Sequence, residues 1–146
     1  DERLAIGRQL GAATTVNVTH EDPVVAIRRL VERGADVVFE ATGTPAGQQT
    51  AARLVGPGGR CVLVGQTGRP EVGLALDDLA FHEGQLLTSW LSAQAYPRAL
   101  ELLQAYGAEV RLLLSGSYPL NRVHAALTDL RARTHGSIKI QLVPGQ

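Results

Sequence analysis

Three short apolar runs constrain this chain most: Asp36–Thr42 (DVVFEAT), Arg60–Gly65 (RCVLVG) and Leu86–Leu91 (LLTSWL). Asp36–Thr42 has a continuous apolar centre rather than alternation, as expected of a strand covered by helices on both faces of a parallel sheet, and Arg60–Gly65 reads as another fully buried strand. Parallel neighbours cannot be joined by a tight hairpin, so each strand must be followed by a crossover, usually a helix. The sequence between the runs provides such helices. Asp22 and Pro23 form an N-cap and N1 pair, Val24, Ile27, Leu30 and Val31 give a helical stripe, and Gly34 stands at the expected C′ position. Gly43–Gly47 turns the chain, Gln48–Val55 reads as a helix, and Gly56-Pro57-Gly58-Gly59 stops it. A short turn or helix is expected near Asp77–Glu83, and a helix over Tyr96–Tyr106 with Pro97 in its first turn and Gly107 at its close.

The two ends extend the pattern. Leu4, Ile6 and Leu10 mark a first helix stopped by Gly11, and Thr14–Val18 (TTVNV) reads as a short strand. Val110–Leu114 reads as a strand, Asn121 as the cap of a helix carrying Val123, Leu127 and Leu130, Gly136 as its stop, and Ile138–Val143 as a final strand. The fold class is therefore α/β.

Composition narrows the function. The 146 residues are 45% hydrophobic and 19% charged, which fits one globular domain and excludes a disordered or collagen-like chain. Fourteen Lys and Arg balance fourteen Asp and Glu, leaving no basic surplus for a nucleic-acid backbone or an anionic membrane. No apolar run approaches the ~18 to 20 residues of a membrane span, and no signal-peptide core opens the chain. With Cys61 the only cysteine, an internal disulfide and a cysteine zinc cluster are excluded, and a reducing cytoplasm is the expected compartment. The chain has no Met and opens on a helix, so it is expected to be a piece of something longer.

The segments GADVVFEATGTPAG, GPGGRCVLVG, YPRALELL and GSIKIQLVP, in this order over nearly the whole chain, resemble the C-terminal half of the zinc-type medium-chain alcohol, polyol and threonine dehydrogenases. The resemblance implies a partial Rossmann-type doubly wound parallel sheet lacking its first two strands, over residues 1–109. A strand-helix-strand tail, 110–146, would return to an absent catalytic domain. With the usual strand order 3-2-1-4-5-6, Thr14–Val18 would be the third strand and Asp36–Thr42 the fourth. They would not pair, and the edge of Asp36–Thr42 would be bare. The family's first Rossmann strand, its glycine-rich phosphate turn and the second strand with its ribose acid have no counterpart, and Asp1 stands too close to Leu4 to be that acid.

The implied activity is hydride transfer between NAD or NADP and a small alcohol or carbonyl substrate, with zinc in the complete enzyme only. No catalytic or metal-ligating residue lies in this chain, so alone it should be inactive. The complete enzyme is expected to be a homo-oligomer. Two alternatives stand beside this reading: a zinc-free quinone or enoyl reductase of the same superfamily, and a nucleotide-binding or interaction module without chemistry.

Ligands of doubly wound sheets bind outside the carboxyl ends of the strands, so Thr42 and Gly43, Val64 and Gly65, and the stretch Ser89–Leu91 would line one edge, with Thr42, Gly43, Val64, Gly65, Ser89 and Leu91 as cofactor-binding candidates. The resemblance implies the same positions, with Val64, Ser89 and Leu91 at the nicotinamide end. Lys139, the one lysine among fourteen cationic side chains, matches a family position that reaches the cofactor pyrophosphate, and Arg3 matches a basic position near the adenosine ribose. Gly43-Thr44-Pro45-Ala46-Gly47 invites a phosphate-cradle reading. Pro45 removes a donor, so a tight strand-to-helix connection is the better one. Glu40 is read as a partner for nearby loop N–H groups, and Cys61 as a small buried hydrophobe. His20, His82, His124 and His135 have no ligand spacing.

Overall fold

A computed structural model describes residues 1–91, 94–132 and 136–145. His135 lies outside the described residues. The elements are α1 (Glu2–Gln9), α2 (Pro23–Leu30), β1 (Ala35–Glu40), α3 (Pro45–Leu54), β2 (Val55–Leu63), α4 (Leu76–Phe81), β3 (Gln85–Thr88), α5 (Tyr96–Ala105), α6 (Gly107–Arg111), β4 (Leu114–Pro119), a 3₁₀ turn (Leu120–Arg122), α7 (Val123–Ala132) and β5 (Lys139–Val143). They fall into two compact units, Val16–Ala93 and Asp1–Thr15 with Gln94–Gln146.

In the first unit the strands form a parallel sheet of order β1-β2-β3. Val38 pairs with Cys61, Glu40 with Leu63, and Leu63 with Thr88. Asp22 caps α2 through Oδ1, which accepts from the amides of Val24 (2.8 Å) and Val25 (3.0 Å). The helix ends at Leu30, and Gly34 sits in the following turn at φ 87°. Ala51 and Ala52 of α3 pack with Val55, Cys61 and Leu79, joined by Val38 and Leu63. Small residues on α3 let the helix backbone come close to the sheet.

Covering of both sheet faces is not observed. Side chains alternate along a strand, so Val38 and Glu40 face the α3 side while Val37 and Phe39 face the other, where Phe39 is 70% exposed. Edge strand β1 pairs only with β2 among the described residues, which agrees with the bare edge expected for this strand.

Other boundaries also depart from the sequence reading: the strand expected over Leu86–Leu91 runs Gln85–Thr88, and Gly107, expected to close the helix begun at Tyr96, opens α6. Thr14–Val18 is not a strand. No described strand pairs with it, and Asn17 makes a local turn instead, its Oδ1 accepting from the amide (3.0 Å) and hydroxyl (2.6 Å) of Thr19. Helix α3 begins at Pro45 and runs straight into β2 at Val55, so Gly56–Gly59 belongs to the strand and does not stop a helix. Val110 is helical in α6, its amide bonded to the Tyr106 carbonyl at 3.0 Å, and the expected strand begins at Leu114. Asn121 lies in the 3₁₀ turn ahead of α7.

The second unit contains the strand-helix-strand tail, with β4 and β5 parallel and Tyr118 opposite Leu142. Helix α1 is held in the same unit, Arg3 Nη2 donating to the Ser137 carbonyl at 2.7 Å.

Cys61 is fully buried. Burial first, and the negative charge of Glu40 second, push its thiol up from its ordinary value. The folded state thus holds this proton more tightly than the unfolded state does. Its contribution to stability is complete at neutral pH and is lost as pH rises past the thiol's ordinary value. Urea unfolding between neutral and about pH 10 should show a falling stability, and Cys61→Ala should make that fall shallower.

Candidate functional site

Strand β1 ends at Glu40, and this residue organises the carboxyl end of the sheet. Its main-chain carbonyl accepts from the amides of Val64 (2.8 Å) and Gly65 (2.9 Å), just past the end of β2. The residue is 3% exposed. Oε1 accepts from the Thr42 amide (2.7 Å), the Thr42 hydroxyl (2.5 Å) and the Gly43 amide (3.2 Å). Oε2 is buried with no hydrogen-bond partner. The role read from the sequence for Glu40, as partner of loop N–H groups, is the one observed.

The hydrogen bonds continue into α3. Thr42 Oγ1 accepts from the Thr44 amide at 3.2 Å and lies 3.0 Å from Thr44 Oγ1. Thr44 caps α3, its Oγ1 accepting from the Gly47 amide at 3.0 Å. With that amide occupied and no N–H on Pro45, the Gly43–Gly47 segment is a tight strand-to-helix connection.

Two glycines make this junction close enough to form. Gly43 has φ 64°, and a Cβ there would lie 2.6 Å from the Gln66 carbonyl oxygen. A Cβ on Gly65 would overlap the Gly43 amide nitrogen. Gln48 of α3 donates to the Gly65 carbonyl at 3.3 Å.

Beside this junction, at the ends of β2 and β3, lies a cleft of about 520 Å³ lined by Gly65, Gln66, Arg69, Ser89 and Trp90 among others. The Ser89 amide is anchored to the Leu63 carbonyl at 3.0 Å. A second cleft, about 500 Å³, runs along β1 and α3 and is bordered by Phe39, Thr42, Thr44 and Gly47.

The expected site residues therefore divide. Thr42, Gly43, Val64 and Gly65 meet at Glu40, and Ser89 joins Gly65 in lining the first cleft. Leu91 is 81% exposed at φ 50° and lines neither cleft. Arg3 and Lys139 belong to the other unit, where the Lys139 amide donates to Ser115 Oγ at 3.3 Å. Gln48 and Arg69 were not singled out from the sequence, whereas Trp90 lies within the strand-end stretch Ser89–Leu91 selected from it. The available signal was the Gly- and Pro-rich stretch Gly65–Pro70 directly after a buried strand.

Among the described residues, no three His, Cys, Asp or Glu side chains come together as a metal site. No described helix is long and apolar enough to cross a membrane.

A family profile described as zinc-binding dehydrogenase matches residues 1–105. The sorbitol dehydrogenase of Bacillus subtilis is 26% identical over 145 residues, which are 99% of this chain and 41% of that protein. An Escherichia coli oxidoreductase/dehydrogenase of unknown specificity superposes with a TM-score of 0.90 at 25% identity, covering 99% of this chain and 42% of its own. An E. coli alcohol dehydrogenase structure complexed with NADH gives a TM-score of 0.82 at 20% identity, covering 96% and 41%. The chain thus spans about two fifths of the relatives it matches. The parallel α/β architecture is that of their Rossmann-like cofactor domain.

The glycine junction yields a stability test. Gly65→Ala must displace backbone at Gly43, and should destabilise the chain by about 1–3 kcal/mol, the usual range for forced overpacking. Gly73→Ala, where an added Cβ meets nothing within 4 Å, should stay within about 0.5 kcal/mol of wild type. Urea denaturation of the two variants measures both.

Proposed function

Because this chain belongs to the zinc-binding dehydrogenase family, we propose that it is the cofactor-holding part of an NAD(P)-dependent oxidoreductase acting on a small alcohol or carbonyl. The observation that carries the reading is the close backbone approach of Gly43 and Gly65 at the strand ends, beside a cleft of about 520 Å³. Doubly wound sheets bind dinucleotides in this position. The residues suit such a ligand: the glycines leave the backbone unshielded, and the cleft is walled by an aromatic ring, Trp90, and a cation, Arg69. The NADH carried by one structural relative supports the choice of cofactor class.

In this reading residues 1–109 hold the cofactor and 110–146 form the tail toward a catalytic domain. The division is one of role, separate from the packing division into units. Thr42, Gly43 and Gly65 offer backbone to the cofactor, with Arg3 near the ribose. Val64, Ser89 and Leu91 meet the nicotinamide end, and Lys139 meets the pyrophosphate. When bound, the nicotinamide supplies the hydride chemistry. The chain's own residues bind and orient it. The described residues do not fit a zinc site, so any zinc ligands belong to other residues of the complete enzyme. That enzyme is proposed to be a cytoplasmic homo-oligomer.

Two measurements test this reading. The 146-residue chain by itself should retain no stoichiometric zinc on elemental analysis and should show no alcohol dehydrogenase activity. About one tightly held zinc per chain would refute the division of roles. In the complete enzyme, Lys139→Ala should weaken cofactor binding by about ten- to a hundredfold, the equivalent of one charge-assisted hydrogen bond. Lys139→Arg should be far milder. Fluorescence titration with NADH and NADPH reads both, and equal affinities for wild type and the alanine variant would make Lys139 a surface charge only.

A further inference from the structure

We infer that Glu40 is a positioning residue for cofactor binding, an inference that rests on the cofactor reading above. A buried carboxylate is costly unless its oxygens are satisfied. Glu40 gains nothing from neighbouring cations: no salt bridge includes it among the described residues. All three donors to its carboxylate come from the turn that follows it, Thr42 and Gly43. What the burial secures is therefore the shape of that turn.

The chemistry of the donors fixes the shape further. A carboxylate accepts only, so the Thr42 hydroxyl must give its proton to Oε1. Thr42 Oγ1 then accepts from Thr44, both from its amide and, across 3.0 Å, from its hydroxyl. Thr44 Oγ1 in turn accepts from the Gly47 amide. One acceptor at Glu40 thus sets the direction of the whole chain of hydrogen bonds into α3, and no hydroxyl proton on Thr42 or Thr44 is left for a ligand.

What remains to meet a cofactor at these strand ends is backbone, and Glu40 holds it from two sides. Its carboxylate takes the Gly43 amide and its carbonyl the Gly65 amide. The surrounding glycines are matched to the carboxylate. A Cβ on Gly65 would come 2.8 Å from Oε2, and one on Gly47 2.8 Å from Oε1. A residue serving only to fill the core would need neither the charge nor the glycine walls.

The test uses the complete enzyme with Glu40→Gln, Thr42→Val and the double variant. Each is measured for NADH dissociation constant by nicotinamide fluorescence, for cofactor KM and kcat, and for thermal unfolding. Glu40→Gln exchanges an anionic acceptor for a neutral one and should raise the NADH dissociation constant and the cofactor KM about tenfold, the scale of one charge-assisted hydrogen bond, with kcat within about twofold. Thr42→Val, at an exposed position, should raise them about threefold, and the double variant should resemble Glu40→Gln alone because both act through one network. Coupling in the dissociation constant is a readout that a merely structural Glu40 would not move.

Variants that melt earlier but bind NADH like wild type overturn the inference and leave the cofactor reading standing. If Glu40→Gln does not fold, Thr42→Val and Thr42→Ser decide together: NADH binding weakened in the valine variant and restored in the serine variant, which keeps the hydroxyl that Glu40 holds, supports the inference, and unchanged binding in the valine variant or equal loss in both overturns it. A wild-type enzyme that binds neither NADH nor NADPH overturns the cofactor reading and this inference together.

Discussion

A parallel strand that stops at its carboxyl end leaves the backbone groups beyond it without a ladder, and here Glu40 supplies their partners. Its carbonyl takes the amides of Val64 and Gly65, and its carboxylate takes those of Thr42 and Gly43. The end of β1, the end of β2 and the start of α3 are thereby tied to one residue. The close approach of Gly43 to Gly65 follows from that tie, and so does the position of the cleft at the ends of β2 and β3.

The core beneath this junction is made of small residues. Ala51, Ala52, Val55 and Cys61 are almost fully excluded from water, and with Val38 and Leu63 they pack α3 against one face of the sheet. The opposite face exposes Val37 and Phe39. Hydrophobic stabilisation scales with the apolar area removed from water, so the α3 side carries most of the sheet's packing energy. Bare edge strands and bare apolar faces favour association.

How far the sequence could be read depended on the range of the interactions involved. The Asp22 cap, the Pro45 helix start that follows the Thr44 cap, and the strands at Ala35–Glu40 and Gln85–Thr88 rest on residues close together in the chain. The Asp22 cap was legible in full, and the two strands were legible apart from their ends. The start of α3 was placed three residues late because Gly47 looked like a turn residue, when its amide is the one capped by Thr44. Thr14–Val18 had the composition of a strand, but composition cannot supply a partner, and Asn17 turned the segment on itself. Likewise Val110 has a β-branched side chain, yet its amide donates a hydrogen bond to the Tyr106 carbonyl within a helix.

The candidate site shows the same division. The sequence by itself determined that the chain is α/β, that its strands are parallel, and that glycines stand where those strands end, because periodicity, caps and turn residues are local properties. Only the tertiary structure decided that Gly43 and Gly65 touch, that the Glu40 carboxylate is buried between them, and that Ser89 lines a cleft while Leu91 does not. Those facts depend on strand register and on the packing of α3, which bring together residues more than twenty positions apart, as with Gly43 and Gly65. The energy of such contacts exists only once the intervening chain has folded, so no local pattern could announce them.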